Sequence, residues 1–421
     1  MKLLQVDTIQ VLEDKFAKYF SDMERKQEEV DLTKALGRYL AEDVFADMDA
    51  PSFRRSVVDG YAVIGADTFG AGESIPVFLE SVGSVHMGEE AALTIASGET
   101  AYVPTGGMIP EGADAMVMVE YIDRLGDNMI SVNKPAAPNE NIMNIGDDFR
   151  KGEQFFSKGH RISAKDIGLL AACGKGRVAV YRKPMLSVIS TGDELVEAGE
   201  KPDICQVRDI NAYAIAAYAE ALGAEVLDIS IVRDDREACY DAVSEAMERG
   251  DMVVLSGGSS AGNMDFTKEV IASLGKPGVV THGLAIRPGK PTIVGIFTDR
   301  NELKTVIGLP GHPLSSITVF DVVVGTFIKR YYLGNEEKPR SISAKITENI
   351  HAGEGRTTYQ LVNLHLEKKK EECEEKNWLA SPIRAKSGAI AQLAKAHGYV
   401  SISEGSEGLR AGETVDVILI E

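Results

Sequence analysis

The chain has few cysteines, and the four it has are scattered: Cys173, Cys205, Cys239 and Cys373. None of them forms a Cys-x-x-Cys pair, which argues against a disulfide scaffold or a structural zinc site and fits a reducing compartment such as the cytoplasm. The seven histidines show neither His-x-His nor His-Glu-x-x-His spacing. A zinc site built from histidines is therefore not expected.

Positive charge is also in short supply. The chain has 45 Lys and Arg residues against 64 Asp and Glu residues, giving a net charge of −19. Such a surface repels phosphate backbones, so nucleic acid is not expected as a partner, although one local pocket can still hold an anion.

Long apolar runs are absent as well. The richest stretch, residues 314–328, is interrupted by Ser315, Ser316 and Asp321, and no stretch reaches the roughly 18 residues that a membrane span needs. The first residues turn acidic at once and lack the apolar centre of a signal peptide. We therefore expect a soluble cytoplasmic protein that makes no contact with a membrane.

What remains is ordinary globular composition, with 44% hydrophobic and 26% charged residues, in a chain of 421 residues. This length predicts two to four domains. The patterns change along the chain: residues 1–45 indicate helices, residues 46–150 indicate short strands between Gly and Pro turns, and residues 331–421 return to strand-like alternation. The charged run at 367–377 is typical of a solvated hairpin tip.

Strands and helices alternate in the region between. Four strands are expected, at 186–190, 225–232, 252–255 and 303–307, and helices at 212–222 (with Asn211 as N-cap), around 238–247, after Asp265 and at about 313–330. Repeated strand–helix units predict a parallel sheet with helices on both faces. Ligands of such sheets bind outside the carboxyl ends of the strands.

Three loops leave these strands at their carboxyl ends, and we call them the rim loops: residues 190–194, 256–265 and 308–313. Their glycines let backbone N–H groups approach a ligand, and a following helix N-terminus favours an anion. Tight turns without a ligand are the alternative for any one loop. Because all three are expected on one edge, we favour a binding site there.

The second rim loop also matches Gly-x-Ser-x-Gly at residues 258–262, which would make Ser260 the nucleophile of a serine hydrolase. In that motif the helix begins directly after the serine. Here several residues intervene, and Asp265 is the expected N-cap. The hydrolase is therefore the weaker alternative.

Cations and further acids stand in Gly- or Pro-framed turns. Arg287 and Lys290, within THGLAIRPGKP (281–291), suit an oxyanion, although a solvated surface turn is the alternative. Pro291 follows Gly-Lys where a phosphate-binding Walker A loop has Ser or Thr. Asp59 stands in an Asp-Gly turn, which a plain hairpin would also explain.

Taken in chain order, these segments resemble the molybdopterin molybdenumtransferase family, MoeA, which includes the E domain of gephyrin-type proteins. The resemblance covers essentially the whole chain and rests on SVVDGYAV (56–63), VPTGGMIPEGADAMVMVE (103–120), GDDFRKGE (146–153), ISTGDEL (189–195), VRDDRE (232–237), SGGSSAGNMDFTK (256–268), RPGKP (287–291), GLPGHP (308–313), GRTTYQL (355–361) and KSGAIAQLAKAHG (386–398).

The resemblance implies a multidomain α/β plus β fold with a central doubly wound α/β molybdopterin-binding domain similar to MogA proteins, a β-rich insertion domain and a barrel-like C-terminal β domain. The implied boundaries are residues 1–27 with 181–330 for the α/β domain, 28–45 with 151–180 for a helical linker and dimerisation domain, 46–150 for the β-rich domain, and 331–421 for the C-terminal domain. It also implies a homodimer whose active site lies between the α/β domain of one subunit and the β-rich domain of the other.

The implied activity is insertion of molybdate into adenylylated molybdopterin, with Mg²⁺ present, giving molybdenum cofactor and AMP. The implied partners are the molybdopterin adenylyltransferase and the enzymes that accept the cofactor. The implied catalytic residues are Asp59, Asp148, Glu194, Asp234 and Asp265, of which Asp265 and Glu194 suit Mg²⁺. The implied substrate-binding residues are Thr105, Thr191, Gly257, Gly258, Ser259, Arg287, Lys290, Pro310, Pro313, Arg356 and Ser387. A non-catalytic molybdopterin-binding scaffold with the same fold is the second alternative.

Overall fold

The structure, a computed structural model, describes residues 6–257, 264–299, 302–367, 377–384 and 388–420, with residues 264 and 265 described by their backbone alone. The chain begins with α1 (Ile9–Phe20), β1 (Gln27–Asp31), a 3₁₀ turn (Leu32–Lys34) and β2 (Val44–Phe45). The helical prediction for residues 1–45 is therefore right for α1 and wrong for β1. The polar sequence of β1 forms a strand because a partner far along the chain pairs with it.

The next region is a sheet that is apolar on both faces. Its strands are β3 (Arg55–Ser56), β4 (Gly60–Val63), β5 (Val77–Ser84), β6 (Glu99–Val103), β7 (Ala115–Met118), β8 (Ile122–Leu125), β9 (Met129–Val132) and β10 (Ile142–Met143). Six of them follow the order β7-β4-β6-β5-β9-β8, while β3 pairs with β10. Along β4, Ala62 packs into one apolar cluster and its neighbours Tyr61 and Val63 into another, as strand alternation requires. Short 3₁₀ turns lie at Gly65–Thr68 and Val119–Tyr121.

A short connecting region follows with β11 (Gln154–Phe156), α2 (Ala164–Ala172) and β12 (Arg177–Tyr181). Strand β12 pairs antiparallel with β1, and β11 pairs with β2. Helix α2 begins with a capping box formed by Ser163 and Asp166.

The α/β region contains β13 (Met185–Thr191), β14 (Leu195–Val196), β15 (Val207–Arg208), α3 (Asn211–Ala221), β16 (Glu225–Val232), α4 (Arg236–Arg249), β17 (Met252–Gly257), α5 (Met264–Ser273), β18 (Pro277–His282), β19 (Ile286–Arg287), β20 (Ile293–Asp299), β21 (Glu302–Leu309) and α6 (Pro313–Val319). Helix α6 continues through π-helical turns at Phe320–Gly325 and Ile328–Tyr332. The main sheet has the order β16-β13-β17-β21-β20-β18.

This sheet is doubly wound, as predicted. Strands β16, β13, β17 and β21 run parallel. One apolar cluster joins the sheet to α1, α3 and the long helix that begins at Pro313, and a second joins it to α4 and α5. Strands β18 and β20, which were not predicted from the sequence, add an antiparallel edge to the parallel sheet.

The C-terminal region forms a closed barrel. Its elements are β22 (Ser341–Ile346), β23 (Ile350–His351), β24 (Thr357–Leu366), β25 (Trp378–Pro382), α7 (Ile390–Leu393), β26 (Gly398–Ile402), β27 (Gly408–Leu409) and β28 (Thr414–Leu419). Strands β24, β25, β22, β28 and β26 form a ring that closes through the β24–β26 pairing. Leu366 pairs with Trp378, which confirms the hairpin around the charged run, whose residues 368–376 lie outside the described residues.

Together these regions confirm the predicted fold class, a doubly wound α/β unit with a β-rich region and a C-terminal barrel. The domain boundaries stay predictions. In the described part of the chain, no helix combines the length and the apolar character that a membrane span requires.

Candidate functional site

The three rim loops lie at one edge of the sheet, as predicted. Strands β13, β17 and β21 are neighbours and run in the same direction, so their carboxyl ends are adjacent. Ser190 is in register with Ser256, and Ser256 with Leu309. The described parts of the three loops therefore start side by side, where an α/β sheet binds its ligands.

The first two rim loops touch through Thr191 and Gly257. Gly257 has a φ of +125°, and a Cβ atom there would lie 2.2 Å from the carbonyl oxygen of Thr191. Only glycine fits this position, since any side chain would clash with the backbone of the neighbouring strand. The Thr191 side chain is buried at this contact.

Two predicted acids lie at the first rim loop, one within it and one against it. Glu194 is exposed, and its carboxylate folds back over Gly192, where an added Cβ would meet Oε2 at 2.7 Å. The backbone N–H of Asp234 donates to Oδ1 of Asp193 at 3.4 Å. Glu194 and Asp234 are thus brought to the same corner of the rim, and both residues are exposed.

The third rim loop is stiffened by its prolines. Pro310 is buried, and Pro313 is the first residue of α6, a position where the missing N–H costs no hydrogen bond. His312 lies between them and is exposed. The loop therefore presents the N-terminal end of the long helix at the rim.

Asn211 was predicted as an N-cap, and this is wrong. The cap position is Ile210, and Asn211 is the first residue of α3. Its amide Nδ2 donates to Ser256 Oγ at 2.8 Å and to the Gly311 carbonyl at 2.9 Å, so the side chain points inward and joins two rim loops. Sequence alone did not reveal this role, because an asparagine at a helix start is equally typical of a cap.

The predicted cations gather where the α/β region meets the barrel. Strand β19 pairs in parallel with β24, with Arg287 in register with Thr358, which brings Arg356 beside the strand that carries Arg287. Both arginines are exposed, and Lys290 is half-buried in the same turn. Among the described residues no acidic side chain forms an ion pair with any of the three. In a chain of net charge −19, such cations are free to bind an anion.

The β-rich region holds a second group. The Thr105 N–H donates to Oδ1 of Asp59 at 2.8 Å, and both residues are exposed. Asp148 is also exposed, and its N–H donates to the carbonyl of Ala50. No hydrogen bond or ion pair within the described ranges links this group to the rim loops of the same chain.

Several predicted site residues cannot be placed. Gly258, Ser259, Ser260 and Ser387 lie outside the described residues, and so does the side chain of Asp265. The backbone shows that α5 begins at Met264. Asp265 therefore lies within the first helical turn rather than at the N-cap.

A metal site built entirely from protein side chains is not seen in the part of the chain that the structure describes, where no three His, Cys, Asp or Glu residues cluster. Mg²⁺ commonly takes only one or two carboxylates and completes its shell with water and phosphate oxygens. The exposed Glu194 carboxylate has the right chemistry for such a shared site.

Comparison with known proteins decides the family. Three family models match in chain order: "MoeA N-terminal region (domain I and II)" over residues 6–174, "Probable molybdopterin binding domain" over residues 187–330, and "MoeA C-terminal region (domain IV)" over residues 343–420. A molybdopterin molybdenumtransferase of Bacillus subtilis is 32% identical over 397 residues, covering 93% of this chain and 89% of that protein. The chain belongs to the MoeA family.

Solved MoeA structures agree with this assignment. Two crystal structures of molybdopterin biosynthesis MoeA proteins from Pyrococcus horikoshii match with TM-scores of 0.78 and 0.80 at 38% and 28% identity. Each match covers 99% of this chain and at least 99% of the MoeA chain with which it is compared. The family and the fold predicted from sequence are thereby confirmed. The match to the probable molybdopterin binding domain covers the rim loops, and the match to the MoeA C-terminal region covers the barrel that carries Arg356.

Proposed function

We propose that this chain inserts molybdate into adenylylated molybdopterin and releases AMP and molybdenum cofactor. Its membership of the MoeA family makes it an enzyme of molybdenum cofactor biosynthesis. The observation that carries the specific reaction is the convergence of the three rim loops on one edge of the sheet, in a chain where Arg287, Lys290 and Arg356 form no ion pair among the described residues. Both substrates are anions, and these are groups that bind anions.

The rim loops and the cations divide the work by chemistry. Backbone N–H groups at the rim and the N-terminus of α6 suit the phosphates of the adenylylated pterin. Arg287, Lys290 and Arg356 suit the molybdate oxyanion, since guanidinium groups donate two parallel hydrogen bonds and lysine adds a point charge. Cleavage of a phosphoanhydride needs chiefly positioning and charge neutralisation, so no nucleophilic side chain is required.

Mg²⁺ would be held by Glu194 and Asp265, since carboxylates are the hard oxygen ligands that this ion prefers. When bound, the ion neutralises charge on the phosphates. The role of the protein is to hold the carboxylates at the rim, as the fold of the Glu194 side chain over Gly192 already does.

The second acidic group completes the site in a homodimer. Asp59, Thr105 and Asp148 lie on the β-rich region and are not joined to the rim of their own chain within the described ranges. In a symmetric dimer each rim would receive this group from the other subunit, which explains why exposed acids are held in ordered turns. We also propose a cytoplasmic location and contacts with the molybdopterin adenylyltransferase and with enzymes that accept the cofactor.

The reaction is tested by incubating the protein with adenylylated molybdopterin, molybdate and Mg²⁺ and measuring AMP. We expect AMP release that needs all three components and stops when Mg²⁺ is chelated. Pterin binding without AMP release would instead support the non-catalytic scaffold.

The shared site is tested by mixing two inactive variants, Asp59→Ala and Glu194→Ala. If each site takes Asp59 from one subunit and Glu194 from the other, random mixed dimers contain one intact site, and activity should recover to about one quarter of the wild-type value. If both residues act within one chain, the mixture stays inactive.

A further inference from the structure

The buried side chain of Asn211 joins three elements at the rim. It lies at the first residue of α3, and its Nδ2 donates to Ser256 Oγ at 2.8 Å and to the Gly311 carbonyl oxygen at 2.9 Å. Ser256 begins the second rim loop, and Gly311 lies in the third. In the part of the chain that the structure describes, no other side chain forms hydrogen bonds to both loops.

The orientation of this amide is fixed by its neighbours. A carbonyl oxygen only accepts, so the group that faces Gly311 must be the NH₂ end. Both amide protons are then used, one for each loop. Oδ1 is buried and has no hydrogen-bond partner among the described residues. Among the described residues the oxygen of this side chain therefore has no partner, while its nitrogen bonds to both loops. A buried polar atom without a partner is uncommon in proteins, so this arrangement indicates a functional role in addition to a structural one.

We propose that Asn211 is a positioning residue that holds Ser256, at the start of the second rim loop, at a fixed spacing from Gly311 of the third rim loop for the adenylylated pterin. The inference rests on the proposed function, because it assigns the rim to that substrate. Asn211 acts through Ser256 and Gly311. Reacting groups tolerate little displacement, and a shift of about 1 Å can cost on the order of 100-fold in rate.

The chain offers a matched control in Asn335. Both asparagines are 8% exposed, and Asn335 also donates from Nδ2 to a backbone carbonyl, that of Gly159, at 3.0 Å. Gly159 lies between β11 and α2, away from the rim loops. Asn335→Ala removes a buried amide of the same kind without touching the rim.

The experiment measures steady-state AMP release for wild type, Asn211→Ala, Asn211→Asp and Asn335→Ala, varying one substrate at a time. For both Asn211 variants we expect the KM for adenylylated molybdopterin to rise and kcat/KM to fall by on the order of 10- to 100-fold. The KM for molybdate should stay within about twofold, because the cations belong to another part of the site. Asn335→Ala should match wild type in all three values.

Ser256→Ala keeps the test valid if Asn211→Ala does not fold. It removes one of the two bonds and should show a smaller rise in the same KM. The double variant should be no worse than Asn211→Ala, since the two residues act through one bond. Kinetic values for the Asn211 variants that equal those of Asn335→Ala would overturn the inference. Wild-type protein that releases no AMP would instead refute the proposed function, and the inference would fall with it.

Discussion

The backbone N–H of Thr105 donates a 2.8 Å hydrogen bond to Oδ1 of Asp59. This bond fixes the carboxylate on the turn before β4, while its other oxygen accepts no hydrogen bond from the described residues. Both residues are exposed, so the bond contributes little to global stability. An exposed carboxylate that is held in one orientation is typical of a binding surface.

Replacement of Asp59 by Asn separates charge from geometry. The amide oxygen can still accept from Thr105, and stability should change by less than about 0.5 kcal/mol because the site is on the surface. AMP release should nevertheless fall by at least about 100-fold if the negative charge is needed. Asp123→Asn is the control, since Asp123 is an exposed acid of the same sheet that accepts a hydrogen bond from Asn133. Full activity in Asp59→Asn would refute a role for the charge.

The contact between Gly257 and Thr191 predicts a stability effect. Gly257→Ala should lower the free energy of unfolding by at least about 1–3 kcal/mol. The alanine would have to adopt the positive φ of this position, and its Cβ would also clash with a neighbouring backbone oxygen. Gly37→Ala separates the two causes, since Gly37 has a φ of +76° but nothing within 4 Å of an added Cβ. Denaturant unfolding of both variants measures the difference. Equal losses would show that the contact with Thr191 is unimportant.

Much of the α/β region was predictable because its strands are short apolar runs between recognisable helices, and three of the four predicted strands, β13, β17 and β21, are largely buried. Strands at 185–191, 225–232, 252–257 and 302–309 were all expected within a few residues, and chain order placed their loops on one edge. The barrel hairpin followed from the charged run between two strands.

Two of the misses, β1 and Asn211, depend on contacts between residues that lie far apart in sequence. Strand β1 reads QEEVD, and only its pairing with β12 makes it a strand. Asn211 was misjudged for the same reason, since its partners Ser256 and Gly311 are distant in the chain. Strand β20 was missed for a local reason, because no helix separates it from β18 or β21 and it therefore breaks the strand–helix alternation that identified the other strands.

Arg356 is expected to bind the oxyanion. Arg356→Ala should raise the KM for molybdate by about 10- to 100-fold, the usual worth of a hydrogen bond to a charged group. Its melting temperature should equal that of wild type, because the side chain is exposed and forms no ion pair among the described residues. Arg384→Ala is the control, since Arg384 is an exposed barrel arginine paired with Glu348 at 2.7 Å. An unchanged KM for molybdate in Arg356→Ala would place the oxyanion elsewhere.

Thiol labelling should distinguish the cysteines. Burial, with Asp234 and Asp235 nearby, raises the pKa of Cys239 to about 11. Burial also raises the pKa of Cys173, whereas Cys205 is exposed. In a Cys373→Ser background, an aromatic disulfide at neutral pH should label one thiol quickly, and the others only on unfolding. The additional change Cys205→Ser should abolish the fast phase, and its persistence would contradict the burial of the other two.

Acid should weaken the start of α2 through Asp166. Burial alone would raise the pKa of this carboxyl, but hydrogen bonds from His160 and Ser163 outweigh it, and the pKa lies below the ordinary value of 3.8. A carboxyl with a lowered folded pKa stabilises the protein above its unfolded pKa, and that stability is lost as the pH falls through the folded pKa. The free energy of unfolding should therefore drop as the pH falls below 3.8.

Asp166→Asn should cost about 1–3 kcal/mol near neutral pH and flatten this dependence. The reason is that the variant removes the buried carboxylate that lies 2.9 Å from Nε2 of His160. Denaturant titrations of both proteins across this range measure the slopes, and parallel curves would show that Asp166 does not carry the effect.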